Sequence, residues 1–571
     1  MRLALAQLNP LVGDLTGNTR SILRACEQAE AGQADLLLTP ELSLWGYPPR
    51  DLLLQPERLA QQTMVLNQLC KELQQRQSRL TLLVGAVIAI DDDRRPALHN
   101  AIVQVTREGW QPVAYKQLLP NYDVFDERRY FRPGERSSTL VLNNGVRLGL
   151  TICEDLWVDS ELQRERLTGP DPIAGLIDQA PDLLINLAAS PFDASKPSLR
   201  HQLAARAARR LTCPIAYLNQ VGGNDELVFD GGSFVLDAHG ETLLQMPFCQ
   251  DSFAIWDGDS RQPAAPPAPS PDPRELLFRS LVLGVRDYAG KCGFRKALLG
   301  LSGGIDSALV AVIAAAALGP NAVSTLMMPS PWSSRGSIDD ATALAERLGI
   351  ASQTVPIAAL MQGFDATLAP ALDGEPQGVT AENLQSRIRG TLLMAVANQQ
   401  GQLLLTTGNK SELAVGYCTL YGDMNGGLAV IGDLYKTTVF ALCDWLDHEQ
   451  SRSCRQDFGL LEEGELVGKA IRTKPPSAEL RPDQKDTDSL PDYSELDALL
   501  TLLIEQRRSG EALTAAGFAP ELVERVERML RRAEFKRRQS PPLLKVSPQA
   551  FGSGWRRPIA AACAFGRRGR G

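Results

Sequence analysis

Short apolar runs alternate with amphipathic stretches along the whole chain, but the two halves do so differently. In the first half, residues 3–8, 35–38, 80–87, 101–105, 113–115, 146–152, 182–187 and 215–219 read as strands. The tetrapeptides that begin at Arg107 and Asp237 are turn-like, so some neighbouring strands are expected to pair as hairpins. Helical stretches over 21–31 and 59–75 separate others. This mixture predicts sheets covered by helices, an α/β layered fold. The second half is more regular. Strands over 296–301, 322–327, 353–357 and 402–406 alternate with helices, including one opened at Ser337 by a capping-box pattern and one through 382–398. Strand–helix alternation with short links predicts a doubly wound parallel sheet, with ligands at the carboxyl ends of its strands.

Between the halves the pattern stops. Residues 261–273 read RQPAAPPAPSPDP, and six prolines in thirteen residues exclude a helix or a central strand. A semi-rigid spacer over 261–273 therefore divides a first domain, 1–260, from a second, 274–571. The basic end from Gly566 is expected to fray. A net charge of −8 argues against a sequence-independent grip on nucleic acid, but leaves a nucleotide open as a small ligand. No apolar run is long enough to span a bilayer: the best, Ala308 to Leu318, is short and sits behind a glycine-rich loop. The apolar start ends at Pro10, too early for a signal peptide. The chain reads as cytoplasmic, with no membrane partner. Its ten cysteines form no Cys-x-x-Cys pair and its four histidines never cluster, which argues against a zinc site.

Cys153 stands out by its address, where a buried strand meets a turn. A nucleophile there is rigidly held and open to a substrate. Glu41 and Lys116 each follow an apolar run in the same way. If the three strands neighbour one another, the three side chains converge. Glu41 would then take the thiol proton, Lys116 would stabilise an oxyanion, and Glu41 would return the proton to departing ammonia and activate water. Spacing alone leaves the other reading open: a structural cysteine and two solvated loop charges. The segments TPELSLWGYPPRDLL, YKQLLPNYDVFDERRYF and LTICEDLW resemble the three signature segments of the nitrilase superfamily, most closely the glutaminase domains fused to NAD synthetases. That resemblance implies an αββα sandwich, a triad of Glu41, Lys116 and Cys153, help to the triad from Glu127, and glutamine held by Tyr122, Ser190 and Lys196.

In the second half, Gly300-Leu301-Ser302-Gly303-Gly304-Ile305-Asp306-Ser307 links a strand to a helix. Its glycines let backbone N–H groups approach a phosphate, and the helix start adds partial positive charge. The lysine of a Walker A loop is missing. Asp306 would repel phosphate unless a cation such as Mg²⁺ bridges them. The SGGIDS loop resembles the pyrophosphate loop of ATP-pyrophosphatases of the adenine-nucleotide α-hydrolase type. ENLQSRIRG, TTGNKSELAVGYCTLYGDMNGGLAVIGDLYKT, RTKPPSAELRPDQKD and EFKRRQ resemble successive segments of the NAD synthetases. By that resemblance the whole loop, Thr407, Lys436 and Ser477 contact ATP, with Ser477 on a mobile segment over it. Asn383, Glu412, Asp423 and Lys536 meet deamido-NAD, and Asp306 and Glu412 hold Mg²⁺. The implied reaction joins ammonia from glutamine to a deamido-NAD adenylate, releasing AMP and pyrophosphate, in a homo-oligomer. The rivals are another glutamine amidotransferase with the same loop, such as a GMP or asparagine synthetase, and a nucleotide-binding regulator with a dead glutaminase. Intact Glu41, Lys116 and an internal Cys153 argue against both.

Overall fold

The structure is a computed structural model that describes residues 1–92, 95–162, 169–258 and 271–561. It forms two compact units, Met1–Asp287 and the chain from Tyr288 onward. Residues 261–270 of the proline-rich stretch and the basic end from Gly566 lie outside the described residues. Pro273 opens the helix Pro273–Lys291, which runs across the boundary between the units.

The first unit holds two six-stranded sheets. One runs, edge to edge, Ser252–Asp257, Arg2–Gln7, Leu36–Leu38, Thr81–Ala89, Leu98–Thr106 and Gly109–Tyr115. The other runs Thr242–Gln245, Phe234–Leu236, Ile215–Asn219, Leu183–Ala188, Arg147–Ile152 and Ser138–Val141. Each sheet is parallel near its middle and antiparallel towards its edges. Side-chain alternation builds the layers. Leu3 and Leu5 enter the core between the sheets with Ile152 and Ile185, whereas Ala4 and Ala6 turn outward to the layer shared with Ile22 and Leu69. Those two come from the helices Leu15–Ala31 and Pro56–Gln75. Helix Lys196–Leu211 packs on strands Ile215–Asn219 and Phe234–Leu236 of the other sheet. The result is the αββα sandwich. Each fully buried leucine in it contributes roughly 1.5–3 kcal/mol of transfer free energy.

The second unit has a five-stranded parallel sheet in the order Ala351–Thr354, Val323–Met327, Ala297–Gly300, Leu403–Thr406, Leu428–Ala429. The order reverses between Ala297–Gly300 and Leu403–Thr406, which opens a crevice at the carboxyl ends of those strands. Helix Ile305–Leu318, apolar on nearly every side, is buried along its length. The expected capping box at Ser337 is displaced: helix Arg335–Leu348 is capped by Ser334, whose side chain accepts from Ser337 N. Ser337 is buried in the first turn and makes tertiary hydrogen bonds instead. Helix Leu15–Ala31 starts six residues before its expected start at 21, because Asp14 Oδ1 accepts from Gly17 N at 2.8 Å and compensates for weak helix formers there.

Candidate active sites

In the first unit the three strand ends do converge, but not as neighbours. The strands before Glu41 and Lys116 are separated by two others in one sheet, and the strand before Cys153 lies in the second sheet. Convergence comes from two sheets facing each other, with Glu41 in the turn that follows its strand. That turn is pressed onto the strand beside it: Thr39 N donates to Leu83 O and Leu44 N to Gly85 O. A Cβ on Gly85 would meet Leu42 N at 2.2 Å and Pro40 O at 2.3 Å, so only glycine lets the turn carrying Glu41 sit there.

Glu41, Lys116 and Glu127 are each no more than 4% exposed. Lys116 Nζ donates to Glu41 Oε1 at 2.8 Å and to Glu127 Oε1 at 2.7 Å. Glu41 also accepts from Asn100 Nδ2 at 2.7 Å and from Ala189 N at 2.9 Å. Tyr47 OH donates to Glu127 at 2.8 Å. Burial works against the Lys116 charge, but Glu127 and Glu41 outweigh it and hold the ammonium well above the usual lysine range. Burial, reinforced by Glu41 against the pull of Lys116, pushes the Glu127 carboxyl up to about 7. Cys153 takes φ +46°, in the left-handed region, and opens the short 3₁₀ turn Cys153–Leu156. Burial first and Glu41 second push its thiol well above the ordinary range, with Lys116 opposing. Asp155 ties the two sheets' contributions together: it accepts from Ile152 N at 3.0 Å, beside the cysteine, and from Gln117 N and Leu118 N at 3.0 and 2.9 Å, beside the lysine.

Next to this cluster, Lys196 Nζ lies 5.6 Å from the Phe125 ring centre and 5.8 Å from that of Trp157. Tyr122 packs edge-on against Phe125 and donates to the buried Glu154 at 2.8 Å. Ser190 is fixed by its backbone: its N–H donates to Asn219 Oδ1 at 2.9 Å.

In the second unit a cavity of about 610 Å³ occupies the crevice at the strand ends. It is lined by the loop 300–307 except Gly303, with Thr407, Glu412, Asp423, Lys436 and Ser477. Gly303 takes φ +77°, and a Cβ there would meet Ser337 O at 2.1 Å. Within the loop, Ser307 Oγ accepts from Ser302 N at 3.2 Å and donates to Gly304 O at 3.0 Å. Lys436 is paired with Asp306 and lies 3.5 Å from Glu412, while Asn409 Nδ2 donates to Asp306 at 3.1 Å. Burial, with Asp306 and Asp486 nearby and Lys436 opposing, pushes the Glu412 carboxyl up to about 8. Away from the loop, Asp423 accepts from Thr419 N at 2.9 Å and from Ser386 Oγ at 3.0 Å. Asn383 Oδ1 accepts from Thr419 Oγ1 at 2.8 Å.

The carbon-nitrogen hydrolase family model matches residues 2–259 and the NAD synthase family model residues 277–540. The chain is 48% identical to the glutamine-dependent NAD(+) synthetase of Synechocystis and 39% identical to that of Thermotoga maritima, each over 98% of both chains. It belongs to the glutamine-dependent NAD(+) synthetases. Its fold matches the solved family member from Acinetobacter baumannii, a complex with adenosine diphosphate, at a TM-score of 0.75 and 36% identity over 98% of both chains.

Of the residues expected to serve a synthetase of this family, Glu41, Lys116, Glu127 and Cys153 form one buried cluster, with Tyr122 and Lys196 beside it. Gly303, Asn383 and Lys536 do not line the cavity of the second unit. Lys536 Nζ donates to Gly416 O and Cys418 O at 2.8 and 2.6 Å, so two of its three donors are already used. Sequence reasoning missed Glu154, Asp155, Arg389, Lys474 and Asp486. The first two directly follow Cys153 in LTICEDLW, and Lys474 and Asp486 lie in RTKPPSAELRPDQKD, where no local pattern distinguishes them from solvated loop charges. Burial lowers the Arg389 guanidinium to about 10, and its Nε donates to Met328 O at 3.0 Å on the cavity wall.

Proposed function

We propose that the chain amidates deamido-NAD to NAD with ATP, using ammonia that Cys153 releases from glutamine. The observation that carries this reading is the buried ammonium of Lys116 between Glu41 and Glu127 beside Cys153. Glu41 has one oxygen bonded by Lys116 and Asn100 and the other by Ala189 N alone, which leaves that second oxygen a lone pair for the thiol proton. Because burial and Glu41 keep the thiol neutral, the thiolate forms only as the proton moves to Glu41 during attack on the glutamine amide. Two N–H groups of Lys116 are taken, and the third faces the developing oxyanion. Glu41 then protonates the departing ammonia and deprotonates the water that opens the thioester. Tyr122, Ser190 and Lys196 hold glutamine.

In the second unit, the carboxylate of deamido-NAD attacks the α-phosphate of ATP, pyrophosphate leaves towards the loop 300–307, and ammonia displaces AMP. Thr407, Lys436 and Ser477 bind ATP; Glu412 and Asp423 bind the dinucleotide from the cavity wall, and Asn383 and Lys536, which stand outside that lining, reach it only by moving. The donor set suits Mg²⁺: Asp306, Glu412 and Asp486 face one ammonium, and the raised Glu412 carboxyl reflects that surplus of negative charge. Among the described residues no three His, Cys, Asp or Glu side chains form a complete cage, so Asp306 and Glu412 would hold the ion with phosphate oxygens supplying the other ligands. Bound Mg²⁺ would screen the phosphate charge. Among the described residues no helix is long and apolar enough to cross a membrane. The cytoplasmic setting follows from the sequence reading, and the homo-oligomer from the resemblance to the family.

The test is product analysis with Mg²⁺, ATP, glutamine and deamido-NAD. NAD and AMP should appear in equal amounts; ADP in place of AMP would overturn the adenylation reading.

A further inference from the structure

We propose that Lys474 is a catalytic residue of the synthetase reaction, its ammonium closing on the pyrophosphate as that group leaves ATP. This rests on the adenylation reading above. The loop 300–307 has no lysine of its own, so charge on a departing pyrophosphate needs a cation from elsewhere. Four cationic side chains line the cavity: Arg389, Lys436, Lys474 and Arg481. All four have resting partners. Lys436 is held by Asp306 and Glu412, Arg481 is paired with Asp488 at 2.8 Å and Glu382 at 3.6 Å, and Arg389 donates to Met328 O.

Lys436 meets the loop at the Asp306 carboxylate, whereas Lys474 meets its backbone at Gly303. Lys474 Nζ donates to Gly303 O at 3.2 Å and to Ser337 Oγ at 3.2 Å, and it pairs with Asp340 at 2.5 Å. Its segment is fastened to the same helix end by Glu479, which accepts from Ser334 Oγ at 3.0 Å and Ser337 Oγ at 2.6 Å. The side chain is 27% exposed on a flexible four-carbon stem, so the ammonium can change partners while its backbone stays anchored. Its present partners are a carbonyl, a hydroxyl and a carboxylate at the rim of the loop, which a more highly charged pyrophosphate would outbid.

As the dinucleotide carboxylate oxygen bonds to the α-phosphorus, the bond from that phosphorus to the α,β-bridging oxygen breaks, and its electron pair stays on that oxygen. Lys474 meets that charge as it forms and keeps its own three protons throughout. A contact that strengthens as charge develops accelerates the step itself, not merely ATP binding.

The test is steady-state synthesis with ammonium chloride as nitrogen donor, combined with product inhibition by inorganic pyrophosphate. Lys474→Met should lower kcat by roughly 10- to 100-fold and weaken pyrophosphate inhibition by about 10-fold, with the KM for deamido-NAD nearly unchanged. Lys474→Gln keeps a donor for Gly303 O and Ser337 Oγ but no charge, so it should fall with Lys474→Met, whereas Lys474→Arg should recover most of the rate. Asp340→Asn removes the competing carboxylate and should inhibit as tightly with pyrophosphate as the parent, or more tightly. If Lys474→Gln matches the parent in kcat and pyrophosphate inhibition, Lys474 is structural. If the parent enzyme itself forms no AMP, the adenylation reading fails instead.

Discussion

The two sites differ in how much of the chemistry is finished before a substrate arrives. Around Cys153 the charges are buried and bonded at 2.7–2.8 Å, with Lys116 locked between two carboxylates. Around the loop 300–307 Lys436 is paired with Asp306 and Glu412 beside an open cavity of about 610 Å³, with Asp486 a further carboxylate nearby. The first arrangement suits a small neutral amide, since nothing must be rearranged to receive it. The second suits a substrate that brings several negative charges and a cation of its own, since the resting pairs must open to admit them. Rigid preorganisation and substrate-completed electrostatics thus occur within one chain, each matched to the charge of what it handles.

Substitutions can break either side of this contrast. Apart from loss of the nucleophile itself, the largest effect is expected from Glu41→Gln, which removes the base while keeping the shape. Glutamine hydrolysis should fall by about 10²–10⁴-fold, while ammonia-dependent NAD formation stays near the parent rate; an equal loss of both would deny the independence of the two sites. Gly85→Ala probes rigidity without touching a functional group. The new Cβ cannot coexist with Leu42 N and Pro40 O, so the turn bearing Glu41 must move. We expect about 1–3 kcal/mol of destabilisation and a clear loss of glutaminase rate, checked by melting and ammonia release. Gly303→Ala forces a side chain into φ +77° against Ser337 O. It should raise the KM for ATP by roughly 10-fold and leave glutamine hydrolysis alone.

The smallest effect sharpens the electrostatics. The Glu127 carboxyl rises from its usual 4.5 to about 7 on folding, mainly through burial. The folded state therefore binds more protons than the unfolded one across that window. The stability this supplies is complete below pH 4.5 and is lost as pH rises through about 7. Glu127→Gln should remove this downward slope, visible as a few degrees' change in the pH dependence of Tm.

How far the sequence reveals all this depends on burial. Strands 146–152, 182–187 and 215–219 stand within two residues of their observed bounds because apolar runs mark buried strands. The edge strand expected at 353–357 lies instead at Ala351–Thr354, mostly exposed and polar, because buried Ile357 stands at the start of the next helix and drew the expectation onward. Val221–Asn224 carries no such run and was not anticipated; Ser138–Val141, a sheet-edge strand with a short run from Leu140 to Leu142, was not anticipated either. In the sites, Glu41, Lys116 and Cys153 were legible as charged or nucleophilic residues ending apolar runs. Lys474 was not, since its meaning lies in Gly303, Ser337 and Asp340, more than a hundred residues away in sequence.

The most direct test of two sites with separate, differently prepared chemistry is Cys153→Ala, assayed for NAD formation with glutamine and then with ammonium chloride. The account predicts that glutamine-dependent synthesis disappears and that ammonia-dependent synthesis runs at close to the parent rate, with AMP equal to NAD. A folded variant that fails with ammonia as well would contradict it.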